Sequence, residues 1–338
     1  MSSPASSPPR ARLSTQRILV IKLGALGDFV QALGPMAAIR RHHDVADAQA
    51  GGPGHAQLTL LTTPAFVGLG RDTGYFDQIW DDGRPRGVMA HVALLRRMSW
   101  ARFTRVYDLQ TSVRSSSYLH QVWPRPEWSG IARGCSHPHT NPHRAQMHTV
   151  DRQAEQLRQA GIASIPQADV TALAGTRSAR ALAGTDAPFG LLVPGAAPHR
   201  PAKRWPVERF AALAALWAEH GRRPLVLGTA AEKPQAQAIV AHAPAAIDLT
   251  GQTSLNDIVT LALAADAAVG NDTGPMHLAA AAGTPCVVLF GGDSDPARCA
   301  PRGPRVRVLA AADISAHATG DVVEALNALA LDPVTLKA

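Results

Sequence analysis

The chain has 338 residues, 46% of them hydrophobic and 17% charged, with a formal net charge of +7. That length has room for two cores, and the lack of about 18 consecutive apolar residues excludes a membrane-spanning helix. Residues 1–180 carry 21 Lys+Arg against 12 Asp+Glu, a net of +9, and residues 181–338 carry 12 against 14, a net of −2. A basic first half suits an acidic partner. With 5% aromatics and no recognised nucleic-acid motif, nucleic acid is disfavoured. A phosphorylated glycolipid fits, as does peripheral contact with an anionic inner membrane leaflet. Plain arginine-rich solubility in a GC-rich genome fits equally. Cys135, Cys286 and Cys299 form no spaced pair. Their odd number and wide separation point to reduced thiols in a cytoplasmic setting.

In chain order, residues 1–16 are rich in Ser, Pro and Arg and lack an apolar stretch, so they read as a disordered leader and not a signal peptide. Arg17 to Lys22 is a buried strand, followed by a glycine-bracketed turn and a helix over 28–41. Strands follow at Leu58 to Thr62, Gln78 to Trp80 and Arg105 to Leu109, with a helix over 89–99 before the last. Residues 123–148 read as irregular, and a helix follows over 150–160. This domain spans 17–170, and a linker covers 171–188. The pattern then restarts over 189–318. Strands are expected at 190–194, 224–228, 246–249, 267–269 and 286–290, with helices at 207–220, 232–242 and 254–265 and one after Asp272. A last helix, within 319–332, is expected to pack back on the first domain. Alternating strands and helices imply two doubly wound parallel α/β sheets, two facing Rossmann-like domains with a cleft between them.

Three motifs carry chemistry. Leu23-Gly24-Ala25-Leu26-Gly27-Asp28 follows the first strand. It is neither GxGxxG nor a P-loop, which weakens the dinucleotide and NTPase readings. The glycines allow a tight turn and let a ligand approach the backbone at Gly27. Asp28 stands at a positive helix end facing the cleft, where it is either a helix cap or a base. Lys203-Arg204-Trp205-Pro206 concentrates positive charge, as a departing diphosphate requires. Asp272-Thr273-Gly274 joins a strand's carboxyl end to a helix's amino end, where unpaired N–H groups and the helix dipole suit a phosphate.

These three blocks, in this order, resemble glycosyltransferase family 9, the heptosyltransferases that extend the lipopolysaccharide core from ADP-heptose. The resemblance covers most of residues 17–310. It implies a GT-B fold and an inverting, metal-independent transferase that needs no cofactor. Asp28 would deprotonate the acceptor hydroxyl. Lys203 would contact the donor diphosphate, with Arg204 beside it. Glu232, which as a helix-start glutamate has an equal structural reading, would bind the donor ribose. Thr273 and Gly274 would hold the diphosphate, Asp272 a sugar hydroxyl, and His277 would belong to the same motif. The turn Gly195-Ala196-Ala197-Pro198 lacks a hydroxyl common there in the family.

Two metal motifs are set aside. Asp293-Ser294-Asp295 looks like a DxD sequence but reads as a surface turn. His137, His139, His143 and His148 lack a paired cysteine or carboxylate, so an acceptor-facing or solvated loop is favoured over zinc. The expected partners are an ADP-heptose-like nucleotide sugar and a phosphorylated glycolipid. The alternatives are a nucleotide-sugar epimerase on a related fold and a non-catalytic nucleotide-binding protein.

Overall fold

A computed structural model of the protein describes residues 16–52, 55–197 and 200–329. Residues 1–15 of the expected leader, Pro198 and His199 lie outside the described residues. Strands β1 (Arg17–Ile21), β2 (Gln57–Leu61), β3 (Gln78–Trp80), β4 (Arg105–Asp108), β5 (Glu127–Gly130) and β6 (His137–Pro138) form one sheet. Strands β7 (Phe189–Val193), β8 (Arg223–Val226), β9 (Ile247–Asp248), β10 (Ala267–Asn271), β11 (Cys286–Phe290) and β12 (Val306–Ala310) form the other. The first sheet carries helices α1 (Leu26–Gln31), α2 (Leu33–Gln49), α3 (Val67–Asp72), α4 (Val88–Ala101), α5 (Val113–Ser117) and α6 (Thr149–Gln159). After α7 (Ala179–Ala183), in the expected linker, come α8 (Val207–Glu219), α9 (Lys233–His242), α10 (Leu255–Ala264), α11 (Gly274–Ala281), α12 (Pro296–Cys299) and α13 (Thr319–Asn327).

Every strand pair is parallel, in the orders β3-β2-β1-β4-β5-β6 and β12-β11-β10-β7-β8-β9. Parallel sheets covered on both faces need strands that are apolar throughout, and β7, β10 and β11 are buried along their whole length. In each sheet the strand order reverses beside the first strand, between β1 and β4 and between β7 and β10. Chains leaving such a reversal diverge and open a crevice at the carboxyl edge. The register brings both pairs to that edge level, with Ile21 opposite Asp108 and Val193 opposite Gly270.

The halves meet through α1 and α11, which pack together. A side chain on Gly27 would start 2.7 Å from the His277 ring, and one on Gly274 would start 2.6 Å from Leu26. Those two glycines therefore set how closely the domains approach. One apolar cluster runs through both halves, with Phe29, Leu33 and Met36 from the first and Leu278, Ala279 and Val288 from the second. Phe29 stacks on Phe66 at 5.1 Å between ring centroids. Burial of a phenylalanine such as this stabilises by roughly 1.5–3 kcal/mol.

Four expectations change. The first helix is two, because its ladder breaks at Ala32 and Pro35 stands in the first turn of α2, where a missing N–H costs nothing. The irregular stretch 123–148 contributes β5 and β6. The second sheet has one more edge strand, β12. The last helix does not return to the first domain. Val322, Val323, Ala325 and Leu326 of α13 are buried with Trp205 and Phe210 and with Val287 and Leu289 of β11, because that sheet face still exposes an apolar groove beside α8. No helix among the described residues is long and apolar enough to cross a membrane.

Candidate active site at the facing strand edges

A cavity of about 600 Å³ opens where the two carboxyl edges meet. Gly27, Asp28 and Gln31 line it from the first half, and Arg200, Lys203, Asp272, Thr273, Gly274, His277 and Cys299 from the second.

Asp28 sits in the first turn of α1, half-buried. Its carboxylate makes no hydrogen bond or ion pair with another described residue. Its charge is nonetheless felt by Lys22, Arg152 and His277. Lys22 directly follows β1 and is buried, with Nζ 3.3 Å from the Leu109 carbonyl. Burial pulls its ammonium down to about 8, and Asp28 and Asp108 partly offset this. Asp108 closes β4 and is also buried. Burial pushes its carboxyl up to about 6 against hydrogen bonds from the Thr111 and Gln110 N–H groups. An acid thus unsatisfied by partners faces the cavity at Asp28, while the neighbouring acid Asp108 is spent on holding its own loop.

The second half supplies a connected network. Asn271, fully buried at the end of β10, accepts from the Trp205 N–H at 3.0 Å and donates to the carbonyls of Pro194 at 2.8 Å and Gly195 at 3.3 Å. One amide therefore joins the loop after β7 to the Lys203 segment. Lys203 Nζ lies 2.7 Å from Asp272 Oδ2, with both side chains nearly buried. Ser294 Oγ donates to the same oxygen at 2.8 Å. His277 Nε2 is 3.9 Å from Asp272 Oδ1. Burial holds the His277 imidazole down at about 4 despite the nearby carboxylates, so at neutral pH it is uncharged. Thr273 occupies the N-cap position of α11 with no side-chain cap bond, its Oγ1 donating instead to the Asn271 carbonyl at 3.2 Å. An uncapped amino end facing a cavity is a ready anion seat.

Seven of the nine expected site residues line this cavity: Asp28, Gly27, Lys203, Asp272, Thr273, Gly274 and His277. Arg204 and Glu232 do not. Arg204 Nη2 donates to the Ala196 carbonyl at 3.1 Å, bracing the turn after β7. Glu232 closes a capping box, with Oε2 accepting from the Thr229 N–H at 2.7 Å and hydroxyl at 2.6 Å. It lies under the same turn, where a side chain on Gly195 would start 2.9 Å from its Cγ. Trp205 is 2% exposed and packs edge-on against Phe210 at 4.8 Å, so it builds the core.

Asp295 caps α12, its Oδ1 accepting from the Ala297 N–H at 2.9 Å. His148 caps α6 and lies 2.9 Å from the Ala300 carbonyl across the cleft. That contact belongs to a seam in which Gln31, Thr149 and Asp151 of the first half bind the 298–302 segment of the second. No group of three or more His, Cys, Asp or Glu is placed to hold a metal among the described residues. Sequence reasoning missed Asn271, Ser294, Arg152 and Arg200. For Asn271 the position was the available signal, since it directly precedes Asp272 at the end of a buried strand, where an amide needs partners.

A sequence model of Glycosyltransferase family 9 (heptosyltransferase) matches residues 91–327. Lipooligosaccharide heptosyltransferase 2 of Haemophilus influenzae is 36% identical over 96 residues, 27% of this chain and 28% of that protein. The chain thus matches less than a third of that relative's length. A family 9 glycosyl transferase from Veillonella parvula has TM-score 0.77 at 21% identity, over 94% of this chain and 98% of that one. An ADP-heptose lipopolysaccharide heptosyltransferase II from Escherichia coli has TM-score 0.73 at 22% identity, over 93% of this chain and 98% of that one. These structures share the GT-B arrangement of two facing α/β domains. With the family match running from the first sheet through the whole of the second, the chain belongs to glycosyltransferase family 9.

Proposed function

We propose that this protein is an inverting glycosyltransferase that moves a heptose or related sugar from an ADP-sugar to a hydroxyl of a lipopolysaccharide-core or other surface-glycan acceptor in the cytoplasm. The observation that carries this reading is the unpaired Asp28 carboxylate facing one cavity with the Lys203, Asp272 and Thr273 cluster. The acceptor oxygen attacks the anomeric carbon as Asp28 takes its proton. The bond from that carbon to the diphosphate oxygen breaks on the opposite face, and the nucleoside diphosphate leaves. One displacement inverts the centre. Lys203 and the amino end of α11 stabilise the negative charge that gathers on the leaving oxygens. Asp272 holds the Lys203 ammonium in place before the donor arrives and accepts from a sugar hydroxyl once it has bound. The family match begins at His91, so the role of Asp28 rests on cavity geometry and on the sequence resemblance.

Calorimetric titration with ADP, UDP and GDP, followed by transfer assays on Asp28→Asn, tests the reading. Selective ADP binding, kept in Asp28→Asn while transfer falls about 10²- to 10⁴-fold, is the expected result. Equal turnover by Asp28→Asn would remove it from catalysis. Conversion of the sugar without an acceptor would replace the transferase reading with an epimerase.

A further inference from the structure

Large apolar side chains left in water are not scattered over this protein. Of nine among the described residues, Val88, Met89, Val92, Trp100, Val113 and Trp123 lie in one stretch of the first half. Helix α4 is apolar on two sides. Leu94 and Met98 face the core. Met89, Val92, Arg96 and Trp100 recur every three or four residues on the opposite side, with Met89 82% and Trp100 75% exposed. Trp123, 76% exposed, stands beside the last turn of the helix, since its N–H donates to Ser99 Oγ at 3.1 Å.

Charge accompanies this stripe. Residues 83–107 contain six arginines and no Asp or Glu. Arg97 pairs with Asp82 and Arg105 with Glu127. Arg84, Arg86, Arg96 and Arg102 are exposed and have no carboxylate partner among the described residues. The Arg96 guanidinium lies 5.4 Å from the Trp100 ring centroid. Protruding Trp and Met among unpaired arginines match the boundary layer of an anionic bilayer. There the rings and thioether enter the acyl edge and guanidinium groups reach the phosphates. A convex helix face without a groove is poorly shaped to grip a folded protein or a peptide.

Topology connects the stripe to the cavity. Helix α4 follows β3, so Val88 and Met89 stand at the carboxyl edge of the sheet. Val113 opens α5 just after β4, at the same edge. The stripe therefore runs from the cleft mouth down the side of the first domain.

We propose that the outer face of α4, together with Trp123, docks this protein on an anionic bilayer with the cleft mouth at the membrane edge. The docking stands on this surface alone. Its use, to meet a lipid-anchored acceptor, rests on the transferase reading above. The test is sedimentation of the full chain with phosphatidylcholine vesicles, with and without phosphatidylglycerol. Two variants, Met89→Ser with Trp100→Ser and Arg86→Gln with Arg96→Gln, are measured beside the parent, with ADP titration on each. Binding should need phosphatidylglycerol, weaken with added salt and fall about fivefold for each arginine removed. The apolar pair should lose more than about tenfold. ADP binding should stay unchanged in both variants. Equal sedimentation of parent and variants would overturn the proposal, as would failure of the parent to bind phosphatidylglycerol vesicles. A parent dimer that the apolar pair converts to monomer would assign the face to a second copy instead. Absence of ADP binding in the parent would count against the transferase reading and leave the vesicle result standing. Should the apolar pair fail to fold, the arginine pair decides.

Discussion

The first sheet and the second repeat one strand order, with the first strand at the point of reversal in each, yet they bring unlike groups to the shared cavity. From the second comes a finished network. Asn271 ties two loops together, Asp272 holds Lys203, and Ser294 completes the carboxylate. From the first comes a carboxylate with its bonding capacity unused, in the field of buried Lys22 and partly buried Arg152. The charge balance differs in the same sense, with the first half strongly basic and the second slightly acidic. One fold thus serves two tasks. On the proposed reading, the half that seats the donor spends its polar groups on positioning one another, and the half that takes the proton leaves one group open.

Substitutions can break that division of labour, and the largest effect is expected at Asp28. Asp28→Asn should cost about 10²- to 10⁴-fold in transfer while leaving the nucleotide dissociation constant within about twofold. If nucleotide binding fell equally, the open group would be part of the seat. Lys203→Ala should do the reverse, weakening ADP in calorimetry and slowing transfer by about 10²- to 10³-fold, the scale of one lost charge-stabilising donor.

A pH titration of stability reads His277 next. Its imidazole is held down at about 4 by burial, below its ordinary 6.5. The unfolded chain therefore binds more protons between those values, and the stability His277 contributes is complete above about pH 6.5 and lost as pH falls toward 4. In His277→Gln the stability lost between pH 7 and pH 4 should shrink by up to about 3 kcal/mol, as measured by denaturant unfolding. An unchanged slope would show that the ring is not desolvated between the halves.

Gly27→Ala probes how closely those halves must approach. The new methyl would start 2.7 Å from the His277 ring, and overpacking of this kind costs about 1–3 kcal/mol, visible as a lowered Tm. A neutral result would mean that α1 can move off α11 freely. The smallest effect is expected from Ser294→Ala, which removes one hydrogen bond to Asp272. The loss of about 1 kcal/mol should lower Tm by roughly 1–3 °C and weaken ADP by no more than roughly fivefold.

Several of these groups are legible in the sequence. Asp28 and the Asp272-Thr273-Gly274 step stand where buried apolar runs give out, at the edge where a parallel sheet puts a ligand, while Lys203 stood out by its concentrated charge and by the family resemblance. Arg204 and Glu232 were expected from the resemblance, and neither lines the cavity. They sit beside it and brace its loops, and a residue one turn removed carries the same local pattern as one that faces the cavity. The last helix was misplaced for a related reason. The apolar spacing of Val322, Val323, Ala325 and Leu326 says that one side is buried but not which apolar surface receives it. Strands β5 and β6 were missed because four and two residues are too few for a periodic signal.

The sequence by itself determined the alternation of strands and helices, the parallel sheets this requires, the strand ends that carry chemistry and the excess positive charge of the first half. All of these follow from local patterns, namely which residues are apolar, where the run stops and what polar group comes next. Only the tertiary structure decided that Lys203 is held by Asp272 across 69 positions, that Asn271 organises the second loop set, that Gly27 and Gly274 let α1 and α11 approach closely, and that Met89, Val92 and Trp100 of α4 stay exposed on the side away from Leu94 and Met98. Those facts depend on which surfaces meet, and that is settled by packing between distant segments, which no local periodicity records.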